Sequence, residues 1–477
     1  MSAASLKADK RRPFRWQAAV AAVAGPLLIA AVLVVVLRGM VFGGVLPSQN
    51  KDILSFFLPN ECFLGRALRA GQVPGWNPFA MGGVPFAADP QSGWMYLPTM
   101  VLYGLFRCDT AMRLLLVVHP LLAGLGVYWF LRAERASRPA ATTAGLVLSL
   151  AIAGSKIATN VPFGGVLAWS ALLLAAAACY LRARTWSARL GWAALAGVFW
   201  SQLAASHLSN GLITGTGALV VYVIVAVSRG LKTKDLTWRR VVALSALLTT
   251  ALPTVSLAYL LPRLHYIPET DLTLGYDGMR QVAARFAGIH VRALKIVLAA
   301  NATWPLRLGT SPGAYAGAIP LLLSFGGLFN KRHRRLTAAL LVYAAVLYVV
   351  AMKAVVARIA PLVHSLPFAD FYPHRPERFR YGILLAIAVL AGLGVEAWRR
   401  ADAHRRAVMI LPGVVVWVAL PLAVGAPPGR LALLAAGAVA GGAALLAATR
   451  RPQLLAVVPV VLAFELGASA LWGQSWG

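Results

Sequence analysis

The chain has 477 residues, of which 59% are hydrophobic and only 13% charged, about half the charged share of a soluble globule. Its formal net charge of +30 would suggest nucleic acid in a soluble protein. Here Lys and Arg stand in short clusters between apolar runs, the pattern of one face of a membrane protein, which argues against both a water-soluble fold and a nucleic-acid partner.

Residues 1–16 carry Lys7, Lys10, Arg11, Arg12 and Arg15 ahead of an apolar run at 17–38. That run is too long for a signal peptide and no small-residue cleavage site follows cleanly, so it reads as an uncleaved first span with a cytoplasmic N-terminus. Further apolar runs lie at 110–131, 140–154, 165–181, 190–206, 211–228, 239–261, 313–329, 336–352, 380–397, 407–424, 430–448 and 453–471. Hydropathy therefore predicts about thirteen spans. Backbone in hydrocarbon must satisfy its own hydrogen bonds, and the runs lack period-two alternation, so they are helices and not barrel strands. The expected fold class is all-α integral membrane, a single polytopic domain over 1–477.

With this count the basic clusters at 132–138, 182–189, 229–240, 331–335, 399–406 and 450–451 all fall on the cytoplasmic face. The segment 93–106 is apolar but short and interrupted by Pro98; it reads as an interfacial or re-entrant piece. As a true span it would invert everything after it. Asp52, Glu61, Asp89, Asp109, Glu269, Asp271, Asp277, Asp370 and Glu377 then lie outside, on extracytoplasmic loops at 39–109, 262–312 and 353–379. Loops that long are usually functional or disordered, and their Trp, Pro and Gly content argues against disorder. The three cysteines form no C-x-x-C pair. Cys62 and Cys108 both fall outside, where a disulfide and two free thiols stay equally open.

The first outer loop carries the most informative motifs. Lys51-Asp52 follows the first span, then come Gly71-Gln72-Val73-Pro74-Gly75-Trp76-Asn77-Pro78, Gly82-Gly83-Val84-Pro85, Ala88-Asp89-Pro90-Gln91-Ser92 and Tyr96-Leu97-Pro98. This pattern resembles the YfhO-like family of bacterial membrane proteins, which belongs among the lipid-sugar-dependent glycosyltransferases called GT-C. Ser206-His207 resembles the family's Gly-His pair. Pro262-Arg263-Leu264-His265 resembles its P-x-L-E segment with His265 replacing the acid, and Arg375-Pro376-Glu377-Arg378-Phe379 resembles its R-x-P-x-R-F entry to a late helix. Many relatives run on to a larger C-terminal region.

The resemblance implies a GT-C bundle that transfers a sugar from a polyprenyl-phosphate donor to an extracytoplasmic cell-envelope acceptor. Such chemistry needs a base for the acceptor hydroxyl and positive charge, or a divalent metal, around the leaving phosphate. Asp52 is the candidate base, although an N-cap or solvated loop acid suits the same position. Asp89 is the second catalytic candidate, with an Asp-Pro turn as its structural alternative. Glu61, nine residues beyond Asp52, falls on the opposite face of a regular helix and is left out.

For the donor phosphate the candidates are His374, Arg375 and Arg378, a basic group on the outer face with guanidinium forks suited to phosphate. Interface snorkelling or ion pairing with Asp370 or Glu377 is the alternative. His207, Trp76 and Asn77 are accessory candidates; a packing histidine and a Trp-anchored loop are the plainer readings. Arg263, His265, Arg280, Arg285, Arg292 and Lys295 of the second loop could form a wall for an anionic lipid or acceptor, but read mostly as solvated surface. Glu465, inside the last span, is an intramembrane acid.

The Ala-, Gly- and Arg-rich composition fits a high-GC bacterial source, hence a bacterial plasma membrane with the active site outside. Two other classes compete. A lipid-sugar flippase or transporter would show midplane acids and internal repeats, and neither is evident. A non-catalytic scaffold of an envelope-assembly complex would assemble partners without transferring sugar.

Overall fold

The computed structural model describes residues 15–47, 51–80, 82–234, 236–266, 269, 317–352, 355, 358–359, 376–402, 404–406, 408–409 and 458–472. Within them the chain is predominantly helical. The first helix, α1, is Arg15–Val36, followed in the first long loop by α2 (Leu58–Arg69) and α3 (Leu97–Leu105). A continuous series then runs α4 (Cys108–Ala133), α5 (Arg138–Ala153), α6 (Val161–Arg182), α7 (Trp186–Ser206), α8 (Leu208–Lys232) and α9 (Trp238–Tyr266). After it come α10 (Ala318–Leu328), α11 (Arg334–Val350), α12 (Ile383–Arg400) and α13 (Val458–Trp472).

The helix starts follow local chemistry. Asn160 accepts from the Phe163 N–H to cap α6, Thr185 accepts from the Ala188 N–H to cap α7, and prolines fill the first turns of α2, α3, α5 and α6. Among the described residues, five helices are long and apolar enough to cross a membrane: Cys108–Ala133, Val161–Arg182, Leu208–Lys232, Trp238–Tyr266 and Lys331–Val350. The chain is a multi-pass membrane protein. The apolar window of α6 is 100% buried and that of α9 only 22%, so α6 is the axis of the bundle and α9 a peripheral helix. Helix α6 packs on α4, α7 and α8, while α5 receives α1, α12 and α13. The spans expected at 407–424 and 430–448 lie outside the described residues, apart from Val408 and Met409.

Helix α3 settles the segment at 93–106. Its nine residues reach about 14 Å, under half of a ~30 Å hydrocarbon core. It packs on α2 and α4 and turns Leu97, Val101 and Leu105 outward, the form of an interfacial helix.

Among the described residues, the turns that carry the basic clusters come together at one end of the bundle. Glu134, just beyond α4, is buried there and pairs with Arg182 at 2.8 Å and Arg229 at 3.1 Å, while the Tyr222 hydroxyl donates to it at 2.7 Å. His333, at the start of α11, meets the Glu134 carbonyl at 3.2 Å. Glu396 of α12 accepts from the Ser137 N–H at 2.9 Å and pairs with Arg399 and Arg400. Two buried carboxylates thus tie five helix ends together.

At the opposite end one sequence expectation changes and one open alternative is resolved. Helix α9 continues through Pro262 to Tyr266, so Arg263 and His265 belong to a helix and not to the loop expected from 262. Cys62 and Cys108 are joined by a disulfide, with Cα atoms 5.3 Å apart, which anchors α2 to the start of α4.

Candidate functional site

The candidate site lies at the end of the bundle away from the basic clusters, where the first long loop folds over the ends of α6, α7 and α9. The loop's motifs build that fold. Trp76–Asn77 pairs antiparallel with Val84–Pro85. The buried Asn77 side chain accepts from the Phe79 N–H at 3.0 Å and donates to Asn60 at 3.4 Å. A Cβ on Gly83 would meet the Trp76 indole at 2.6 Å, and its φ of +119° is open only to glycine. Trp76 is itself 56% exposed. Asn77 thus serves the loop's own architecture, and Trp76 its surface.

Tyr96 anchors the end of the loop inside the bundle. Gln202 of α7 accepts from the Leu97 N–H at 2.6 Å and donates to the Met95 carbonyl at 3.0 Å, clamping the backbone on either side of Tyr96. Met95 adopts φ 65°, a left-handed conformation uncommon outside glycine. The Tyr96 hydroxyl lies 2.7 Å from His119 Nε2 and accepts from the Trp169 indole at 3.0 Å.

Asp89 sits beside this anchor, half-buried. Its Oδ1 accepts from the Gln91 N–H at 2.7 Å, and the Ser92 hydroxyl donates to its carbonyl at 2.9 Å, the Asp-Pro turn that the sequence allows. Burial pushes the carboxyl above its usual range, opposed by the Gln91 N–H and by the Arg263 guanidinium.

Arg263 is the residue that sequence reasoning misjudged. Read as solvated surface, it is in fact 0% exposed. Its guanidinium lies 3.7 Å from the Tyr259 ring centroid and donates to the Tyr259 and Trp94 carbonyls at 2.9 Å each, while Nε is buried without a hydrogen-bond partner among the described residues. The signal was available: an Arg continuing an apolar helical run is a functional candidate by default, once the helix is seen to pass Pro262.

A second group stands on Phe163, at the start of α6. The His207 ring is 5.0 Å from the Phe163 ring, Tyr381 5.3 Å, and the Arg378 guanidinium 5.0 Å. His207 also accepts from the Asn210 N–H at 3.4 Å to cap α8. Two sequence candidates, His207 and Arg378, therefore meet on one aromatic ring. Gln202, Ser206 and His207 lie along the last turns of α7 and link this group to the clamp on Tyr96. His374 and Arg375, with Asp370, lie outside the described residues.

Asp52 is exposed and opens a π-turn, Ile53–Phe57, with helical dihedrals and no side-chain cap bond to that turn. The N-cap alternative is thus not adopted, and π-turns within helices are frequent at functional sites. Glu61 differs sharply. It is 2% exposed, faces the buried Tyr103 hydroxyl, and burial pushes its carboxyl up to about 8. Among the described residues no three His, Cys, Asp or Glu side chains converge as a metal site would require.

No family model matches the sequence, and no curated protein is significantly similar to it. Solved structures do match. ArnT from Cupriavidus metallidurans, bound to undecaprenyl phosphate, superposes with a TM-score of 0.50 at 16% identity, covering 95% of this chain and 77% of its own. The chain shares the overall fold of that structure. The archaeal oligosaccharyltransferase AglB from Archaeoglobus fulgidus gives 0.42 at 12% identity, covering 96% of this chain and 56% of its own.

Proposed function

We propose that this protein is a YfhO-like glycosyltransferase of the GT-C type in a bacterial plasma membrane. It transfers a sugar from a polyprenyl-phosphate donor to a cell-envelope acceptor on the extracytoplasmic face. The observation that carries the reading is the half-buried Asp89 carboxylate beside the buried Arg263 guanidinium, at the bundle end opposite the basic turns. The likeness in fold to a protein solved with undecaprenyl phosphate supports the donor class. The positive-inside tendency of basic turns supports a cytoplasmic basic end with Asp89, Asp52 and the disulfide outside, in the compartment where disulfides persist. Nucleotide sugars are confined to the cytoplasm, so a site outside requires a lipid-borne donor.

In the proposed reaction Asp52 takes the proton of the acceptor hydroxyl as its oxygen attacks the anomeric carbon. The bond from that carbon to the phosphate oxygen breaks, and polyprenyl phosphate leaves with the electron pair. Arg378, with Arg375 and His374, meets the charge growing on the leaving phosphate. Asp89, held by its turn within the field of Arg263, orients the acceptor. A single displacement inverts the anomeric centre.

The test is transfer from labelled polyprenyl-phosphate sugars in membranes, comparing wild type with Asp52→Asn at equal insertion. Loss of transfer with unchanged donor binding is the expected result. Full activity in the variant would pass the role of base to Asp89. No transfer by the wild type from any such donor would sink the reading in favour of a flippase or scaffold.

A further inference from the structure

A cavity of 930 Å³ opens at the basic end, between the turns that join α4 to α5, α6 to α7 and α8 to α9 and the start of α11. Eight arginines line it, among them Arg135, Arg184, Arg239, Arg240 and Arg332, and Glu134 is the only carboxylate in its described lining. Glu134 is occupied by Arg182 and Arg229. The tendency of cytoplasmic loops to be basic explains why each turn is positive. It does not explain why four separate turns converge on one concavity with Leu181, Leu236 and Leu244 in its wall. Like charges gathered against low-dielectric walls repel one another and focus a strong positive field. An anion relieves that cost, and guanidinium forks match phosphate oxygens in pairs.

The surroundings indicate where the anion comes from. Trp186 and Leu190 at the start of α7 are 58% and 55% exposed, and Trp238 and Val242 at the start of α9 are 69% and 64% exposed. Trp186 lines the cavity itself, and the ring lies 5.1 Å from the Arg189 guanidinium. Tryptophan favours the membrane–water interface, so the cavity mouth stands at headgroup level with apolar helix faces below it. Basic pockets between spanning helices suit anionic headgroups. We propose that this cavity binds a phosphate-bearing anion, supplied as the headgroup of an anionic lipid from the adjoining leaflet. The inference is independent of the sugar-transfer reading.

The test uses the full-length protein in detergent, with lipid retention read by native mass spectrometry. Cardiolipin, phosphatidylglycerol and phosphatidylcholine are compared, with inorganic pyrophosphate as a soluble competitor. The same set is applied to a variant combining Arg184→Gln, Arg239→Gln and Arg240→Gln, which keeps both Glu134 partners. Wild type should retain the anionic lipids over phosphatidylcholine by about tenfold, and the variant should lose about tenfold of that preference. Tight pyrophosphate binding without any lipid preference would keep the phosphate chemistry and overturn the lipid source. Equal retention of all three lipids without pyrophosphate binding, or a preference unchanged in a folded variant, would overturn the site itself. The wild-type comparison decides the preference even if the triple variant fails to fold.

Discussion

Arg263 donates through Nη2 to the carbonyl of Trp94, 169 positions earlier, at 2.9 Å. That single bond joins the end of α9 to the first long loop, and it holds the guanidinium where its charge acts on Asp89.

Arg263→Lys should therefore do more than soften a charge. A lysine keeps the cation but cannot reach two carbonyls and stack on Tyr259 at once. We expect sugar transfer to fall by at least about tenfold and the thermal midpoint in detergent to drop, with a stability loss of roughly 2 kcal/mol. Unchanged activity and midpoint together would remove Arg263 from the site.

Asp89→Asn separates turn from chemistry. Asparagine retains the side-chain carbonyl that accepts from Gln91, so stability should change by less than about 1 kcal/mol. Transfer should fall nevertheless, because the negative charge beside Arg263 is gone. A variant with wild-type turnover would reduce Asp89 to a turn residue.

Glu61 makes the outer loop sensitive to alkali. Its folded carboxyl titrates near 8 against an ordinary 4.5. Between those values the unfolded chain has released the proton while the folded chain still holds it, so stability falls as pH rises through that window. Below it both states are protonated, and above it the loss is complete. Melting measured from pH 5 to 9 should show the decline, on the order of a few kcal/mol, and Glu61→Gln should flatten it. A wild-type curve with the same slope as Glu61→Gln would show the acid to be ionised in the fold.

The disulfide closes a separation of 46 residues between Cys62 and Cys108. Replacing both by serine should cost about 2–4 kcal/mol, visible as a lower midpoint without reductant and none with it. Thiol labelling of the native protein under denaturing conditions should find Cys179 alone reactive.

Glu134→Gln removes the buried charge that Arg182 and Arg229 share. Leaving two guanidinium groups without it should destabilise the bundle by roughly 3 kcal/mol. In the wild type, burial pushes the Glu134 carboxyl up, but the Arg229 hydrogen bond and both arginine charges outweigh it and hold it low. Its contribution is thus present above the ordinary carboxylate range and lost as pH falls through the lowered value. Acid melting curves of wild type and variant should converge.

The helices were legible in the chain because a spanning segment satisfies its backbone locally and needs only length and hydropathy to be seen. That the basic turns share one end of the bundle followed from the same reasoning, and so did the shortness of the segment with Pro98. The loop motifs were visible too, but their uses were not. Tyr96 anchors the loop and Asn77 braces it, whereas Arg263 carries the guanidinium that stands by Asp89. Tyr96 and Arg263 depend on partners 73 and 169 residues away, and no period or spacing encodes such distance.

Glu61 shows the limit most clearly. Its face was inferred from a regular helix, and that face is indeed different from the exposed one of Asp52. What the spacing could not supply was the partner surface of Tyr103 and Gly93 that buries it. Hydropathy and charge, which act along the chain, determined the membrane fold and the expected orientation of this protein. Burial, hydrogen-bond partners and the meeting of His207 with Arg378 on Phe163 were decided only by tertiary packing, because they are properties of surfaces that the chain brings together from distant segments.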